Sequence, residues 1–535
     1  MRVLALGAAL LFAIPAFAQH EGHSEHESSA PVLGVIDFPT SADAKSHEAF
    51  VLGVLLMHNF HYDDAAKAFQ KAQHLDSTNV MGYWGEAMTY THPVWNEQDT
   101  TAAHKVLQRL APTRETRLAM ARNPREREWL EAVEALYAPG GTKAARDTAY
   151  SAAMAKVHAS NPADIEGTTF YALSLLGLNQ GDRDVATYRK AYELVAPVFK
   201  AHPKHPGAAH YLIHAVDDPE SAALGLDAAN AYSKIAPSAG HAIHMTSHVF
   251  LALGKWDDVV DANIRAQATL PNGFLAPHGV QWLHYGLVQA GRYHEADRYL
   301  DSTMKQAASL PANRRGGSWG IAGIMAATSV VDTHRWNTAA STVRLDPKNN
   351  TIGAPDSHDF AGLEIGYGLM ALQKGDKAAF NDLLDRITKA RLDSEYAASS
   401  PAVKGMSQVT EEILRGYAMW KEGNHDGALV AFRDAAVLEA SLPMAFGPPE
   451  AIKPPREAAG ELLLEMKRPA EAKQEFTLAL ARTPERIAPL LGLARAEKAL
   501  GNTKESRKRY AEVLRIWHNA DKDLAELPEV RAGSR

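Results

Sequence analysis

Between about Ser46 and Trp517, apolar residues return every three or four positions, the spacing that gives a helix one buried face. The same punctuation recurs through this stretch: a turn, an aromatic or charged residue, then a second run of small and large apolar residues at helical spacing. The clearest copies are His61-Tyr62-Asp63-Asp64-Ala65 with Phe69 and Ala72, Gly254-Lys255-Trp256-Asp257-Asp258, and Gly291-Arg292-Tyr293-His294-Glu295-Ala296. Further copies are Gly423-Asn424-His425-Asp426-Gly427-Ala428 with Phe432, Arg468-Pro469-Ala470-Glu471-Ala472 with Phe476, and Gly501-Asn502-Thr503-Lys504-Glu505. No β-branched alternation of strand length competes with them. The pattern predicts an all-α chain of helix pairs.

The repeat length is 34 residues between Lys467 and Gly501, 37 between Gly254 and Gly291, and longer between Gly375 and Gly423. Insertions therefore fall between Pro93 and Arg127, around Pro347–Asp359, and at Leu442–Pro455, whose prolines and glycines mark a joint or lid candidate. These blocks resemble the tetratricopeptide repeat, a helix–turn–helix unit of 34 residues. Asp76-Ser77, Ala236-Pro237 and Thr483-Pro484 stand where that family usually has Asp-Pro. The resemblance implies a right-handed tetratricopeptide-type solenoid with a concave ligand-binding wall. The expected divisions are 1–18 (signal peptide), 19–45 (flexible His-rich leader), 46–270 (first repeats, with a His-rich groove), 271–440 (middle repeats), 441–455 (joint) and 456–535 (last repeats).

Composition narrows the function. Met1–Ala18 carries Arg2, an apolar run Val3–Ile14 and the small-residue site Ala16-Phe17-Ala18, the pattern of a cleaved secretory signal. The mature chain is expected in the periplasm or secreted, with no membrane span. It has no Cys, so disulfides and thiolate ligands are excluded. A net charge of −7 with mixed signs and no dense Lys/Arg face argues against nucleic acid as a partner. Without Cys or a G-x-S-x-G elbow a hydrolytic triad finds no support, and no phosphate-binding loop is visible. His20, His23 and His26 in the leader suit a solvated tail or a weak metal-gathering one.

The candidate chemistry lies in histidine. Of 24 His, seven fall in residues 202–248, where even spacing would put about two. His210 and His214 recur 34 positions on as His244 and His248, joined by His241. In tetratricopeptide register, set by Val259 and Ala266, His241, His244 and His248 take the second, fifth and ninth places, and His210 and His214 the fifth and ninth. The resemblance places those positions on the concave wall. Residues four apart on a helix stand about 5–6 Å apart at Cβ, a chelating distance. Five imidazoles converging in one groove point to a transition metal, Zn or Cu. Asp217 and Asp218 are candidate ligands or acceptors that fix an imidazole tautomer. His202, His205 and His278 are weaker candidates; the 37-residue spacing shifts His278 into the register of His241.

A second group is Met57-His58-Asn59-Phe60-His61-Tyr62 together with Tyr83–Trp95, in which His58 and His92 are expected late in first helices, on the groove side. Glu86 is the single carboxylate of that apolar stretch. Burial there would raise its pKa and suit it to general acid–base catalysis. Trp84, Tyr90 and Trp95 fit either a core or an aromatic wall. His334 and His358 are ambiguous. The blocks around His58, Tyr83–Pro93, His205–Ala215 and His241–Phe250 resemble a group of exported, His-rich bacterial tetratricopeptide proteins, a likeness that brings no activity with it. The leading reading is an exported binding protein with a metal site in its groove. The alternatives are a metal-dependent hydrolase or oxidase, and a metal-free scaffold. The groove ligand would be a peptide, a protein or a small molecule.

Overall fold

A computed structural model describes residues 31–179, 183–338, 361–392, 401–444 and 446–535. The signal pattern, His20, His23, His26 and the whole Pro347–Asp359 insertion, His358 included, lie outside the described residues. In chain order the helices are α1 (Ala44–His58), α2 (Tyr62–Leu75), α3 (Val80–Met88), α4 (Thr100–Leu110), α5 (Arg114–Ala119), α6 (Pro124–Leu136), α7 (Lys143–Ser160) and α8 (Ile165–Leu176). Then come α9 (Val185–Ala201), α10 (Pro206–Ala215), α11 (Leu226–Ile235), α12 (Gly240–Ala252), α13 (Trp256–Gln267), α14 (Pro277–Gln289) and α15 (Tyr293–Ser309). They are followed by α16 (Ala312–Thr333), α17 (Ala361–Lys374), α18 (Lys377–Leu392), α19 (Pro401–Lys421), α20 (His425–Ser441) and α21 (Pro455–Glu465). The last are α22 (Pro469–Arg482), α23 (Ile487–Ala499), α24 (Thr503–Ile516) and α25 (Leu527–Gly533). Among the described residues the strands are β1 (Thr91–His92) and β2 (Glu97–Gln98), an antiparallel pair on either side of Pro93–Trp95, at the start of the insertion expected between Pro93 and Arg127. The all-α helical-repeat class read from the sequence is the observed one.

Local chemistry sets the helix ends. Asp43, Asn79, Asp99, Asn123, Thr142, Asp164 and Asp184 each accept a hydrogen bond from a first-turn N–H, satisfying a donor that the helix cannot. Small residues then let successive helices approach. A Cβ on Gly85 of α3 would lie 2.3 Å from the Phe69 ring of α2, and one on Gly492 of α23 would lie 2.3 Å from Phe476 of α22. These are places where the repeat pattern demands a small residue against a large one, and any side chain there would push the pair apart.

The chain forms two compact units. One contains the described residues up to Ala296 together with Pro443–Pro449 and Arg468–Arg535; the other contains Asp297–Leu442 and Glu450–Lys467. In the first unit Trp84, Trp129, Phe38 and Phe170 form an aromatic core, with ring centroids 4.9 Å apart for Trp84–Trp129 and for Phe38–Trp129, and 5.4 Å for Trp84–Phe170. Each such buried ring contributes about 1.5–3 kcal/mol. Trp84 is therefore core and no part of a ligand wall. In the second unit Ile365, Val409 and Ile413 are buried together, and the buried Lys453 ammonium sits between Glu457 (2.6 Å) and Glu461 (2.5 Å). No described helix is long and apolar enough to cross a membrane.

Contrary to expectation, the leader is not free as far as residue 45. Leu33 and Phe38 are buried, Val35 N–H donates to the Lys204 carbonyl (2.9 Å), and Ser238 N–H donates to the Val32 carbonyl (3.3 Å). Leu33 and Phe38, with Ile36 packed beside them, strap this apolar stretch onto the repeats.

Candidate metal centre

Three first helices carry the histidines. Pro206 opens α10, and the ring Nδ1 of His205 caps it by accepting from Ala208 N–H (3.1 Å). Gly207 is required next, because a Cβ there would stand 2.2 Å from Nδ1 of His58. His210 and His214 follow one turn apart on α10, His241, His244 and His248 lie along α12, and His278 lies at the start of α14.

The five expected imidazoles do not meet at one point. They form two sets of three, each completed by a residue of the following repeat: His210, His214 and His241, then His244, His248 and His278, with all donor atoms of a set within 4.8 Å of one another. The reason is axial rise. Seven residues separate His241 from His248, about 10.5 Å along a helix, too far for both to reach one ion. His241 therefore joins the α10 pair, and His278 takes the same place beside the α12 pair. The register assigned to His278 from the turn spacing is the position it occupies.

In the first set Nε2 of His210 lies 3.1 Å from Nε2 of His214 and 3.2 Å from Nε2 of His241. Its Nδ1 faces the backbone carbonyl of His58 at 2.7 Å. A carbonyl only accepts, so Nδ1 carries the proton and Nε2 presents a lone pair. One lone pair meets two nitrogens, and at most one N–H can be aimed at it.

The second set is fixed more tightly. His248 Nδ1 donates to Asp217 Oδ2 and His244 Nδ1 to Asn263 Oδ1, both at 2.6 Å. The Asn263 amide orientation follows from its Nδ2, which donates to the Val259 carbonyl (2.8 Å). Both rings thus hold their proton on Nδ1, yet their Nε2 atoms stand only 3.3 Å apart. Two lone pairs face each other with no proton between them. A second proton on one ring would relieve the contact by making an imidazolium; a metal ion relieves it with both rings neutral. Acceptors behind the ligating nitrogen are the usual support of metal-bound His.

Aromatic rings back both sets. Phe60, held in the left-handed region at φ 60°, lies 4.2, 5.8 and 5.4 Å (ring centroids) from His210, His214 and His241. Trp282 lies 5.3, 4.2 and 5.5 Å from His244, His248 and His278. Burial, reinforced by neighbouring imidazoles, holds His210, His214, His241 and His244 well below the ordinary imidazole pKa, so all four are neutral and ligand-ready at pH 7. His210, His214, His244 and His248 are buried, His241 is half-buried and His278 is exposed, which gives each set one member toward solvent.

The remaining candidates lie elsewhere. Asp218 turns away to pair with Arg183 (2.7 Å), which also binds the Asp217 carbonyl and so steadies the turn that aims Asp217. His58 contributes its carbonyl, while its ring sits in a buried clasp: Nε2 is 2.8 Å from Glu166 Oε2, Nδ1 is 2.8 Å from Tyr211 Oη, and His205 Nε2 reaches Glu166 Oε1 at 3.1 Å. Every polar atom of that clasp has a partner, and the two imidazoles hold the Glu166 carboxyl far below the usual range even though burial opposes this. His202 ends α9 and is exposed.

His92 is not on a helix, because α3 ends at Met88. It lies in β1, with Nδ1 2.9 Å from Glu97 and its ring stacked on Tyr62 at 4.1 Å. Glu86 is bound by Gln70 (2.9 Å), Gln73 (2.6 Å) and Arg109, an ion-pair clasp of α2, α3 and α4 in place of an unpaired carboxyl. Trp95 does face the site, 5.9 Å from His241. His334 caps α16 at φ 54°.

Phe60, Asn263 and Trp282 were not legible as site residues. Asn263 left one trace, a polar residue among the buried apolar positions of α13, and Trp282 another, one turn after His278. The Leu442–Pro455 joint has its Pro443–Pro449 part beside the second set, with the Phe446 ring 5.8 Å from His248.

No protein-family model matches the sequence, and no curated protein matches it. Solved structures similar to the chain include the human IFIT1 dimer with m7Gppp-AAAA (14% identity, covering 90% of this chain and 91% of that one, TM-score 0.35). Another is the APC/C hetero-tetramer Cut9-Hcn1 (15% identity, 86% and 78%, TM-score 0.32). At that likeness nothing passes from those proteins to this one.

Proposed function

We propose that this protein is an exported helical-repeat binding protein that holds transition-metal ions, Zn or Cu, in two three-imidazole sites built by α10, α12 and α14. Export rests on the Met1–Ala18 pattern. The observation that carries the metal reading is the pair His244 and His248: their tautomers are set independently by Asn263 and Asp217, and their Nε2 lone pairs point at one space. An arrangement that repels by itself and coordinates an ion is the mark of a ligand set. Neutral imidazole is the ligand form for either metal.

A second reading, a metal-dependent hydrolase or oxidase, is favoured by one feature. Three imidazoles per ion leave a coordination position open, and catalytic zinc sites are built that way. The exposed His278 and half-buried His241 put that side within reach of a small molecule or peptide.

Elemental analysis of untagged protein, as purified and after reconstitution with Zn or Cu, tests the proposal. Two equivalents per chain are expected, and none in a variant with His210, His214, His244 and His248 all changed to Ala. A folded wild-type chain that retains no stoichiometric metal leaves only the metal-free scaffold.

A further inference from the structure

We propose that the two three-imidazole sets form one dinuclear copper centre, in which a pair of Cu(I) ions binds dioxygen between them. The inference rests on the metal-binding reading above and goes beyond it in three respects: the sites are coupled, the metal is copper, and the exogenous ligand is O2.

Coupling follows from spacing. Ring centroids within a set lie 4.8 and 5.0 Å apart around His210, and 4.8, 5.1 and 6.2 Å apart in the second set. Across the divide, His214 and His248 lie 6.2 Å apart and His241 and His244 lie 6.4 Å apart. The gap between sets is thus close to the widest gap within one. Six rings make a continuous double shell. Ions drawn to its two halves share a boundary of His214, His241, His244 and His248, and paired metals of this kind act on one bridging oxygen ligand.

Charge selects the metal. All six donors are imidazole nitrogens, with no carboxylate or thiolate in either set. Two divalent ions would place four positive charges beside the Asp217 carboxylate, the adjacent Asp218 being already paired with Arg183. Two Cu(I) ions bring half that charge, and Cu(I) accepts three nitrogens without demanding a fourth. Zinc in three imidazoles keeps a fourth ligand, and two such ions here need an anion to offset them. The open coordination position toward the other ion is where O2 fits. In the binding step each Cu(I) gives one electron and O2 takes both, becoming a bridging peroxide between two Cu(II). No proton moves and no outside reductant enters, and release reverses the transfer. Phe60 packs against the first set and Trp282 against the second, apolar rings that would limit water around bound ions.

The test uses full-length untagged protein loaded anaerobically with Cu(I), then exposed to O2. Two coppers per chain are expected, with an intense near-ultraviolet charge-transfer band that appears with oxygen and fades on its removal. The oxidised form is expected to lack an electron paramagnetic resonance signal, because two bridged Cu(II) spins pair. His278→Ala, at the exposed end of the second set, is expected to bind one copper per chain and, when loaded with Cu(II), to show its single unpaired spin. If wild-type protein binds two coppers whose oxidised form shows two separate spins, the coupled centre is refuted and the metal-binding reading stands. The coupled centre is equally refuted if both sites take Zn and refuse Cu(I). Failure to bind any metal removes both.

Discussion

At the residue scale the site depends on atoms that never touch a ligand. Asn263 and Asp217 each remove one tautomeric choice from a histidine, so the ligating nitrogen is ready before metal arrives. Asn263→Leu fills a similar volume without an acceptor, and His244 is then free to carry its proton on Nε2. Metal affinity at the second set is expected to fall about 10–100-fold, the usual cost of losing such a partner, as read by competition with a chromophoric chelator; unchanged affinity would show that the tautomer is set some other way. Gly207 does related work on the first set. Gly207→Ala would displace the His58 ring, and with it the carbonyl that holds His210. A lower thermal midpoint and weaker binding at the first set are expected together; a variant that melts like the wild type and binds as tightly would contradict the packing.

At the element scale the repeat builds the site twice. Each set takes residues four apart on one first helix and the leading residue of the next, so α12 serves both. His210→Ala with His214→Ala is therefore expected to leave one metal per chain, held by α12 and α14, on elemental analysis; complete loss would mean that the second set cannot fill alone. The spacing of His210, His214, His244 and His248 was visible as sequence, since a 34-residue period returns a residue to the same helix face. The assignment of His241 was not. Angular position around α12 groups it with His244 and His248, whereas axial rise separates them, and only the neighbouring helix shows which of the two governs.

At the scale of the whole molecule, metal and proton act on the same equilibrium. Burial lowers the pKa of His210, His214, His241 and His244 in the folded chain, while unfolding returns them to about 6.5. Below that pH the unfolded chain binds protons that the native one refuses, so stability is lost as pH falls from about 6.5 toward the depressed native values. The metal-free protein is expected to melt at nearly constant temperature between about pH 8 and 7 and progressively lower toward pH 5. A flat profile over that whole range would mean that these rings are already solvated. Metal binds the native chain in preference, so the midpoint should rise with free metal concentration, a shift that calorimetry would follow and that the four-His variant should lack.

The sequence by itself determined the helical-repeat class, the register of α10, α12 and α14, and the histidine types that face one another. These are local or periodic properties, carried by turn residues and by spacing along a single chain. Only the tertiary structure decided how the histidines divide, that His278 completes the second set, that Phe60 and Trp282 back the two sets, and that Glu86 is spent in an ion pair. Those outcomes depend on distances between residues as far apart as 58 and 210, or 248 and 446, which no period encodes.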